Sequence, residues 1–138
     1  MTLPHPDQPR ILVLALSGIG NLLMQTPLIA RLHERLPLAR VSVLVARRGT
    51  ADVLAGNPSV FSALLGNAKP SLRERLGMLR SIQEGKFDIG IVSYPGQLVT
   101  SSSLLFFGNV RRRLGHRYRY HWLRDTSLFL THAIPEVR

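Results

Sequence analysis

Short apolar runs alternate with stretches of helical spacing along this chain, and that alternation constrains the fold more than any other feature. The runs ILVLAL (11–16), VSVLVA (41–46) and DIGIVSY (88–94) have the length of strands and carry almost no charge. A continuous apolar run bounded by turn residues is typical of a strand buried on both faces of a sheet. Helical stretches between such strands indicate βαβ units with right-handed crossovers. We therefore predict an α/β fold, a Rossmann-like parallel sheet with helices on both faces.

Weaker patterns complete the predicted order of elements. A helix over about 21–36 contains Pro27, so it either kinks there or is divided, with Thr26 capping a second segment that starts at Pro27. A short helix that Thr50 could cap ends at Asn57-Pro58. We assign no element to the final segment from about Trp122. The remaining predicted elements are strands at 60–65 and 110–114 and a helix at 98–107.

The clearest helix is predicted over residues 71–84. Ser71 and Glu74 have the spacing of a capping box, and Gly85 stands where a C-terminal cap is expected. Apolar residues recur at helical spacing and predict a single apolar face toward the core. That face is made of Leu72, Leu76, Leu79 and Ile82.

Composition limits the function classes more than it limits the fold. The 138 residues suit one domain, with residues 1–9 as a flexible Pro-rich leader. Lys and Arg number 18 against 8 Asp and Glu, a formal charge of +10 that indicates an anionic partner. The absence of cysteine excludes disulfides and thiolate chemistry and is compatible with the cytoplasm. The five histidines show no ligand spacing, so we predict no metal site.

Two uncharged runs, 11–30 and 89–110, are long enough to cross a bilayer. Each is interrupted by glycine, proline and polar residues, which is the pattern of a strand, a turn and a helix. The first run could also be mistaken for a signal peptide, but its apolar stretch of six residues is short for one. We predict that neither run spans a membrane.

Parallel α/β sheets bind their ligands beyond the carboxyl ends of the strands. That rule brings three segments to one edge of the predicted sheet. They are Ser17–Asn21, Arg47–Thr50 and Tyr94–Gln97. The functional hypotheses depend on this placement.

The first of these segments, SGIGN, is a glycine turn between a buried strand and a helix. Two glycines let backbone N–H groups approach a ligand, and a helix N-terminus favours an anion or a hydroxyl. The dinucleotide fingerprint fails because Leu23 stands where its third glycine belongs, and no Walker A sequence is present. The alternative is a turn that only packs the helix on the sheet.

Arginines supply two further candidate features. Arg47 and Arg48 follow the second strand directly and could clamp a phosphate or carboxylate, or could simply be solvated. The segment 111–124 holds six arginines with aromatic residues and histidines among them. It could bind a polyanion, a membrane surface or single-stranded nucleic acid, or it could be a surface loop with its aromatics in the core.

The stretch ILVLALSGIGNLLMQTPLIARLHERLP, at 11–37, resembles the opening of glycosyltransferase family 9, the ADP-heptose:lipopolysaccharide heptosyltransferases. The likeness continues through VSVLVARRGTADVLAGNPSV, FDIGIVSYPG and VRRRLGHRYR and covers nearly the whole chain. It implies a GT-B fold, in which this chain, over 10–138, is the N-terminal acceptor-binding domain. The donor-binding C-terminal domain is absent from it, so we expect no transfer by these residues alone.

The resemblance also implies roles for individual residues. Asn21 stands where the family has the aspartate thought to deprotonate the acceptor, and an amide cannot accept that proton. Ser17, Gly18 and Gly20 match the family's turn. With these, the expected acceptor-binding residues are Arg47, Arg48, Gln97, Arg117 and Arg119.

The resemblance implies inverting transfer from an ADP-sugar, bound by the missing domain, to an anionic glycolipid, without a cofactor or metal. It also implies a cytoplasmic protein that can associate with the inner-membrane surface. The alternative hypothesis is a non-catalytic basic protein that binds polyanionic saccharide, a membrane surface or nucleic acid. Of these partners, nucleic acid is the least expected.

Overall fold

The computed structural model describes residues 8–16, 19–67, 69–92, 98–117 and 129–135. Within these ranges strands and helices alternate from the first strand to the fifth, and a sixth strand follows. The strands are β1 (Arg10–Ala15), β2 (Arg40–Val45), β3 (Ser62–Leu65), β4 (Ile89–Val92), β5 (Arg112–Arg117) and β6 (His132–Pro135). The helices are α1 (Ile19–Arg35), α2 (Arg48–Leu54), α3 (Leu72–Gly85) and α4 (Leu98–Phe107).

The six strands form one sheet in the order β3-β2-β1-β4-β5-β6, and every neighbouring pair is parallel. This is the strand order of the doubly wound Rossmann fold, which confirms the predicted fold class. The chain builds the sheet outward from β1 to β3 and then crosses back to add β4 on the other side of β1. The strand order therefore reverses between β1 and β4.

The two faces of the sheet carry separate cores because side chains alternate along each strand. Ile11, Val13 and Ala15 of β1 belong to the core under α1 and α2. Leu12 and Leu14 belong to the opposite core, under α3 and α4. All five are at most 2% exposed. The continuous apolar run of β1 thus has the physical cause predicted for it, burial on both sides.

Helix α1 runs without a break from Ile19 to Arg35 and includes Pro27. The hypothesis that Thr26 caps a second segment is therefore wrong. Proline removes one intrahelical N–H donor, which would have bonded the carbonyl of Leu23 four residues earlier. The hydroxyl of Thr26 donates a hydrogen bond of 2.7 Å to that carbonyl oxygen instead. Thr26 thus supports the helix from within.

Thr50 does not cap α2, contrary to the prediction. The N-cap is Arg47, whose backbone is extended and whose side chain makes no capping hydrogen bond. Thr50 is the third residue of the helix and is buried. The helix ends at Leu54, and Asn57 instead forms a turn in which its side chain accepts from the backbone N–H of Ser59 at 2.9 Å.

The ends of α3 differ in detail from the capping prediction. The Oγ of Ser71 accepts from the backbone N–H of Glu74 at 3.3 Å, as predicted. The Glu74 carboxylate, however, accepts from the side chain of Asn67 and so does not complete the capping box. At the other end Gly85 remains helical, and Lys86 is the cap, in the left-handed region with φ of 49°.

The predicted apolar face of α3 is wrong at its first two positions. Leu72 is 75% exposed and Leu76 is 58% exposed, whereas Met78 and Ile82 are buried. At about 100° per residue, Leu76 lies roughly 120° around the helix from Ile82. The buried stripe is therefore centred on Met78 and Ile82, and the two leucines face solvent.

The second half of the chain departs from the prediction at two strands. Strand β5 continues to Arg117 beyond its predicted end, and β6 was not predicted. The strand predicted over 88–94 is confirmed over Ile89–Val92, and residues 93 and 94 lie outside the described residues. Residues 118–124 of the arginine-rich segment fall outside the described residues, as does most of the 1–9 leader. In the ranges that the structure describes, none of the helices combines the length and the apolarity that a membrane crossing needs.

Candidate functional site

The carboxyl ends of β1 and β4 mark the point where the strand order reverses, and crevices of doubly wound sheets form there. Helix α1 begins just past the end of β1, at Ile19. The segment that follows β4, 93–97, includes the predicted ligand residue Gln97 and lies outside the described residues. The candidate site is therefore described from the sides of β1, β2 and β5.

The first turn of α1 is suited to an anion or a hydroxyl. It contains no acidic residue, so no carboxylate within the turn neutralises the positive end of the helix dipole, where the first backbone N–H groups lack partners within the helix. Gly20 is exposed, and a Cβ built on it would meet no atom within 4 Å. A side chain would fit at this position, so packing of the helix on the sheet does not require glycine there. This disfavours the alternative that the turn only packs the helix on the sheet.

Two of the predicted turn residues, Ser17 and Gly18, lie outside the described residues. Asn21 is placed by its backbone in the first turn of α1, immediately after Gly20. The helix start and Asn21 thus stand at the predicted edge, and the roles assigned to these three residues stay predictions.

Sequence reasoning missed Gln25, which lies one helical turn after Asn21. The side chain is 5% exposed, and both its amide nitrogen and its amide oxygen are buried without a hydrogen-bond partner among the described residues. A buried amide normally finds a partner, since leaving one unpaired costs about 1–3 kcal/mol. The sequence did contain a signal. Gln25 lies three residues after Leu22 and four before Ile29, and both of these apolar residues are on the face of α1 that packs on the sheet.

Arg47 and Arg48 lie at the same edge, after the end of β2. Strand β2 neighbours β1 in register, with Val45 beside Ala15, so both arginines follow the strand ends directly. Both side chains are exposed. No carboxylate among the described residues lies within 4.0 Å of either guanidinium, so their fork-shaped donor groups are available to a phosphate or carboxylate.

Arg117 reaches the same level from the other side of the sheet. Val13 of β1 pairs with Ile91 of β4, and Ile91 pairs with Leu114 of β5. Three residues further along β1 and β5, Leu16 and Arg117 therefore lie at the same level of the sheet. Two strand spacings, about 10 Å, separate it from β1. Only its backbone is described. Arg119 lies outside the described residues, so its predicted role is untested.

Comparisons with known proteins identify relatives by structure alone. No protein-family model matches the chain, and no curated protein matches it. Among solved structures, a family 9 glycosyltransferase from Veillonella parvula DSM 2008 superposes with a TM-score of 0.70 at 19% sequence identity, over 91% of this chain. The E. coli heptosyltransferase WaaC with ADP superposes with a TM-score of 0.73 at 18% identity, over 94% of this chain. The chain has the fold of glycosyltransferase family 9 structures.

A third solved structure, WaaC with ADP-2-deoxy-2-fluoro heptose, gives the same TM-score of 0.73. The predicted resemblance to family 9 is confirmed at the level of the fold. The chain spans 35–43% of the length of these structures, less than half of each.

The described part of the site is equipped for binding more than for acid–base chemistry. It contributes helix N–H groups and two exposed guanidinium groups, and the first turn of α1 holds the amide of Asn21 and no carboxylate. No group of three or more His, Asp or Glu residues within the described ranges is placed to hold a metal ion. The arrangement can hold an anionic, hydroxyl-bearing ligand at the carboxyl edge.

Proposed function

We propose that this chain is the acceptor-binding part of a glycosyltransferase that transfers a sugar from an ADP-sugar to an anionic glycolipid core of the lipopolysaccharide type. The observation that carries the proposal is the fold match over more than nine-tenths of the chain to family 9 glycosyltransferases. Solved relatives that hold ADP and a fluorinated ADP-heptose support a nucleotide-sugar donor. The donor would be bound by a part of those proteins that this chain does not match.

The acceptor site of the proposal is the edge formed by the first turn of α1 and by Arg47 and Arg48. The guanidinium groups would hold acidic sugars or phosphates of the acceptor, because arginine binds such groups in a bidentate way. The backbone N–H groups in the first turn of α1 would hold the acceptor near its reacting hydroxyl. The net charge of +10 would favour approach to an anionic membrane surface, where such a glycolipid resides. We therefore place the protein in the cytoplasm, peripheral to the inner membrane.

The residue at the reacting hydroxyl would be Asn21. An amide can accept or donate a hydrogen bond to that hydroxyl but cannot remove its proton at ordinary pH. Asn21 would therefore orient the acceptor, and proton removal would fall to another group, such as a phosphate oxygen of the donor. The proposed role of Asn21 is positioning.

Titration of the chain with a soluble Kdo-containing lipid A fragment tests the proposal. Replacing both Arg47 and Arg48 with alanine should weaken binding at least about tenfold and should flatten its salt dependence, since two charge-assisted contacts are removed. The matched control replaces Arg73 and Arg75 with alanine. Both lie on the solvent face of α3 and are exposed, so the control removes the same charge elsewhere.

Unchanged affinity and salt dependence in the Arg47/Arg48 variant would remove these arginines from the site. Equal weakening in the Arg73/Arg75 control would show that only net charge matters, as the hypothesis of a non-catalytic basic binding protein expects. Weakening confined to the Arg47/Arg48 variant supports an acceptor site at the carboxyl edge.

A further inference from the structure

A cavity lies at the opposite, amino edge of the sheet. It has a volume of about 210 Å³ and opens between the first residues of β1, β2 and β3 and the last turn of α3. Arg10, Arg40, Ser42, Phe61, Ser62 and Phe87 are among the residues that line it. Seven residues of extended chain, about 20 Å, separate Arg40 from Arg47. This cavity, named here the amino-edge cavity, is therefore distinct from the proposed acceptor site.

Two arginines stand side by side at the rim of the amino-edge cavity. Arg10 and Arg40 are direct partners in the parallel register of β1 and β2, so their side chains leave the sheet on the same face. Like charges at neighbouring positions repel and are unfavourable in a sheet. Among the described residues, no carboxylate lies within 4.0 Å of either guanidinium. An anion between them would relieve this repulsion.

Asp88 is the carboxylate nearest in the sheet, on the other side of Arg10. Its Oδ2 accepts from the backbone N–H of Arg10 at 2.9 Å, and its own N–H donates to the Arg10 carbonyl at 2.8 Å. The carboxylate is thus engaged by backbone and does not bond either guanidinium. At the start of these two strands, the guanidinium groups of Arg10 and Arg40 therefore lack a carboxylate partner.

Both guanidinium groups are held in place by other contacts. The Arg40 guanidinium lies over the ring of Phe61, 4.9 Å from its centroid. The Arg10 Nη1 donates to the carbonyl oxygen of Gly85 at 3.2 Å. A guanidinium carries five N–H donors, so these contacts orient each group and leave donors for a ligand. Arginines fixed in this way lose little freedom on binding.

The floor of the cavity is polar where the rest of this face is apolar. Strand β2 places Ser42 and Leu44 on the face toward α3, and β3 places Ser62 beside Ser42. Ser42 is 3% exposed, and the two hydroxyl groups are hydrogen bonded at 2.8 Å. Phe87, which is 8% exposed, adds an apolar wall. The cavity therefore combines a cationic rim, hydroxyl groups and aromatic surface.

We propose that the amino-edge cavity binds a small organic anion, one carboxylate or phosphate group on a compact apolar body. The charged group would lie between Arg10 and Arg40, and the apolar body would contact Phe61 and Phe87. The volume is below the roughly 300–1,000 Å³ of sites for drug-sized ligands, so the ligand is no larger than a substituted single ring. This site is independent of the proposed glycosyl transfer.

Calorimetric titration with phenyl phosphate, benzoate, inorganic phosphate and benzyl alcohol tests each part of the proposal. At least one aromatic anion should bind about tenfold or more tightly than inorganic phosphate, and benzyl alcohol should bind more weakly than that anion. The comparison of phenyl phosphate with benzoate identifies which anionic group the site takes. Replacing Arg40 with glutamine should weaken the preferred anion at least about tenfold. The matched control, Arg73→Gln on the exposed face of α3, should change it less than about twofold.

A second variant, Ser62→Leu, keeps both arginines and fills the cavity, and it should also abolish binding. Its unfolding midpoint in urea, compared with that of the unaltered chain, verifies that the fold is kept. The proposal is overturned if neither aromatic anion binds at millimolar concentration, or if inorganic phosphate binds equally well. It is also overturned if Arg40→Gln and Arg73→Gln weaken binding to the same extent. None of these results depends on binding of a glycolipid at Arg47 and Arg48.

Discussion

The hydroxyl of Thr26 donates a hydrogen bond of 2.7 Å to the carbonyl oxygen of Leu23. In a regular helix that carbonyl would accept from the backbone N–H of residue 27, but Pro27 has none. The threonine hydroxyl thus supplies the donor that the following proline removes. This explains how α1 continues through Pro27 to Arg35 as one helix and keeps its first turn at the candidate site.

We predict that Thr26→Ala lowers the free energy of unfolding by about 1 kcal/mol, the usual net value of one hydrogen bond. The same change in a Pro27→Ala background should have almost no effect, because the backbone N–H restored at position 27 then donates to the Leu23 carbonyl. Urea unfolding of the four proteins in this double-mutant cycle measures the coupling. Thr26→Ser keeps the hydroxyl and serves as the control. Equal losses in both backgrounds would show that the hydroxyl does not replace the missing donor.

Gln25 should be a destabilising residue in this fold. Its amide atoms are buried without a partner in the described part of the chain, so replacement by methionine, which has nearly the same shape, should raise the free energy of unfolding by about 1–2 kcal/mol. The matched control is Gln83→Met, because the Gln83 Nε2 donates to the carbonyl of Phe107 at 3.0 Å and its loss should be mildly destabilising. A lower free energy of unfolding for Gln25→Met would show that the Gln25 amide does have a hydrogen-bond partner.

Substitutions at two adjacent positions at the end of α3 should have opposite effects on the free energy of unfolding. A Cβ on Gly85 would overlap the Cε2 atom of the buried Phe87 ring, so Gly85→Ala should destabilise by about 1–2 kcal/mol. Lys86 holds a φ of 49°, so Lys86→Gly should stabilise by about 0.5–1 kcal/mol. Thermal unfolding of both variants measures the difference. Stabilisation by Gly85→Ala would show that the ring moves aside at little cost.

Replacing Asn21 with aspartate tests the proposed chemistry. The experiment uses the longest native polypeptide that carries this sequence. A carboxylate at position 21 should raise the rate of transfer from ADP-heptose to the Kdo-containing acceptor by about 100-fold or more, because a general base usually contributes that much. Asn21→Ala is the control, since it removes the hydrogen-bonding group without adding a base. Measurable turnover by the unaltered protein with no gain for Asn21→Asp would contradict this prediction and would show that proton removal by the other group does not limit the rate.

The sheet and the position of the site were largely predictable from the sequence. Strands buried on both faces, such as β1, leave continuous apolar runs, and the parallel arrangement then requires the segments after β1 and β2 to share an edge. Arg47 and Arg48 could be assigned to that edge for this reason. The bounds of α4 were also predicted correctly, because apolar residues and turn residues delimit it sharply.

Other features depend on three-dimensional packing that local patterns do not encode. Leu76 has helical spacing with Leu72 and Leu79, but the direction from which the sheet approaches α3 decides that Met78 is buried in its place. The pairing of Arg10 with Arg40 follows from the register of two strands that are distant in sequence. Gln25 belongs to no sequence motif. Its spacing from Leu22 and Ile29 indicates the packed face of α1, but only the structure shows that its amide atoms are buried without a partner among the described residues.

The central claim is that the carboxyl edge of this sheet binds an anionic acceptor, and amide-resolved NMR titration with the Kdo-containing lipid A fragment tests it most directly. We predict chemical-shift changes concentrated at 19–23, in the first turn of α1, and at 46–50, around Arg47 and Arg48. The amide signals of Arg10 and Arg40, at the amino edge, should be unaffected by this ligand. Changes centred on the amino edge, or no changes at either edge at millimolar fragment, would contradict the claim.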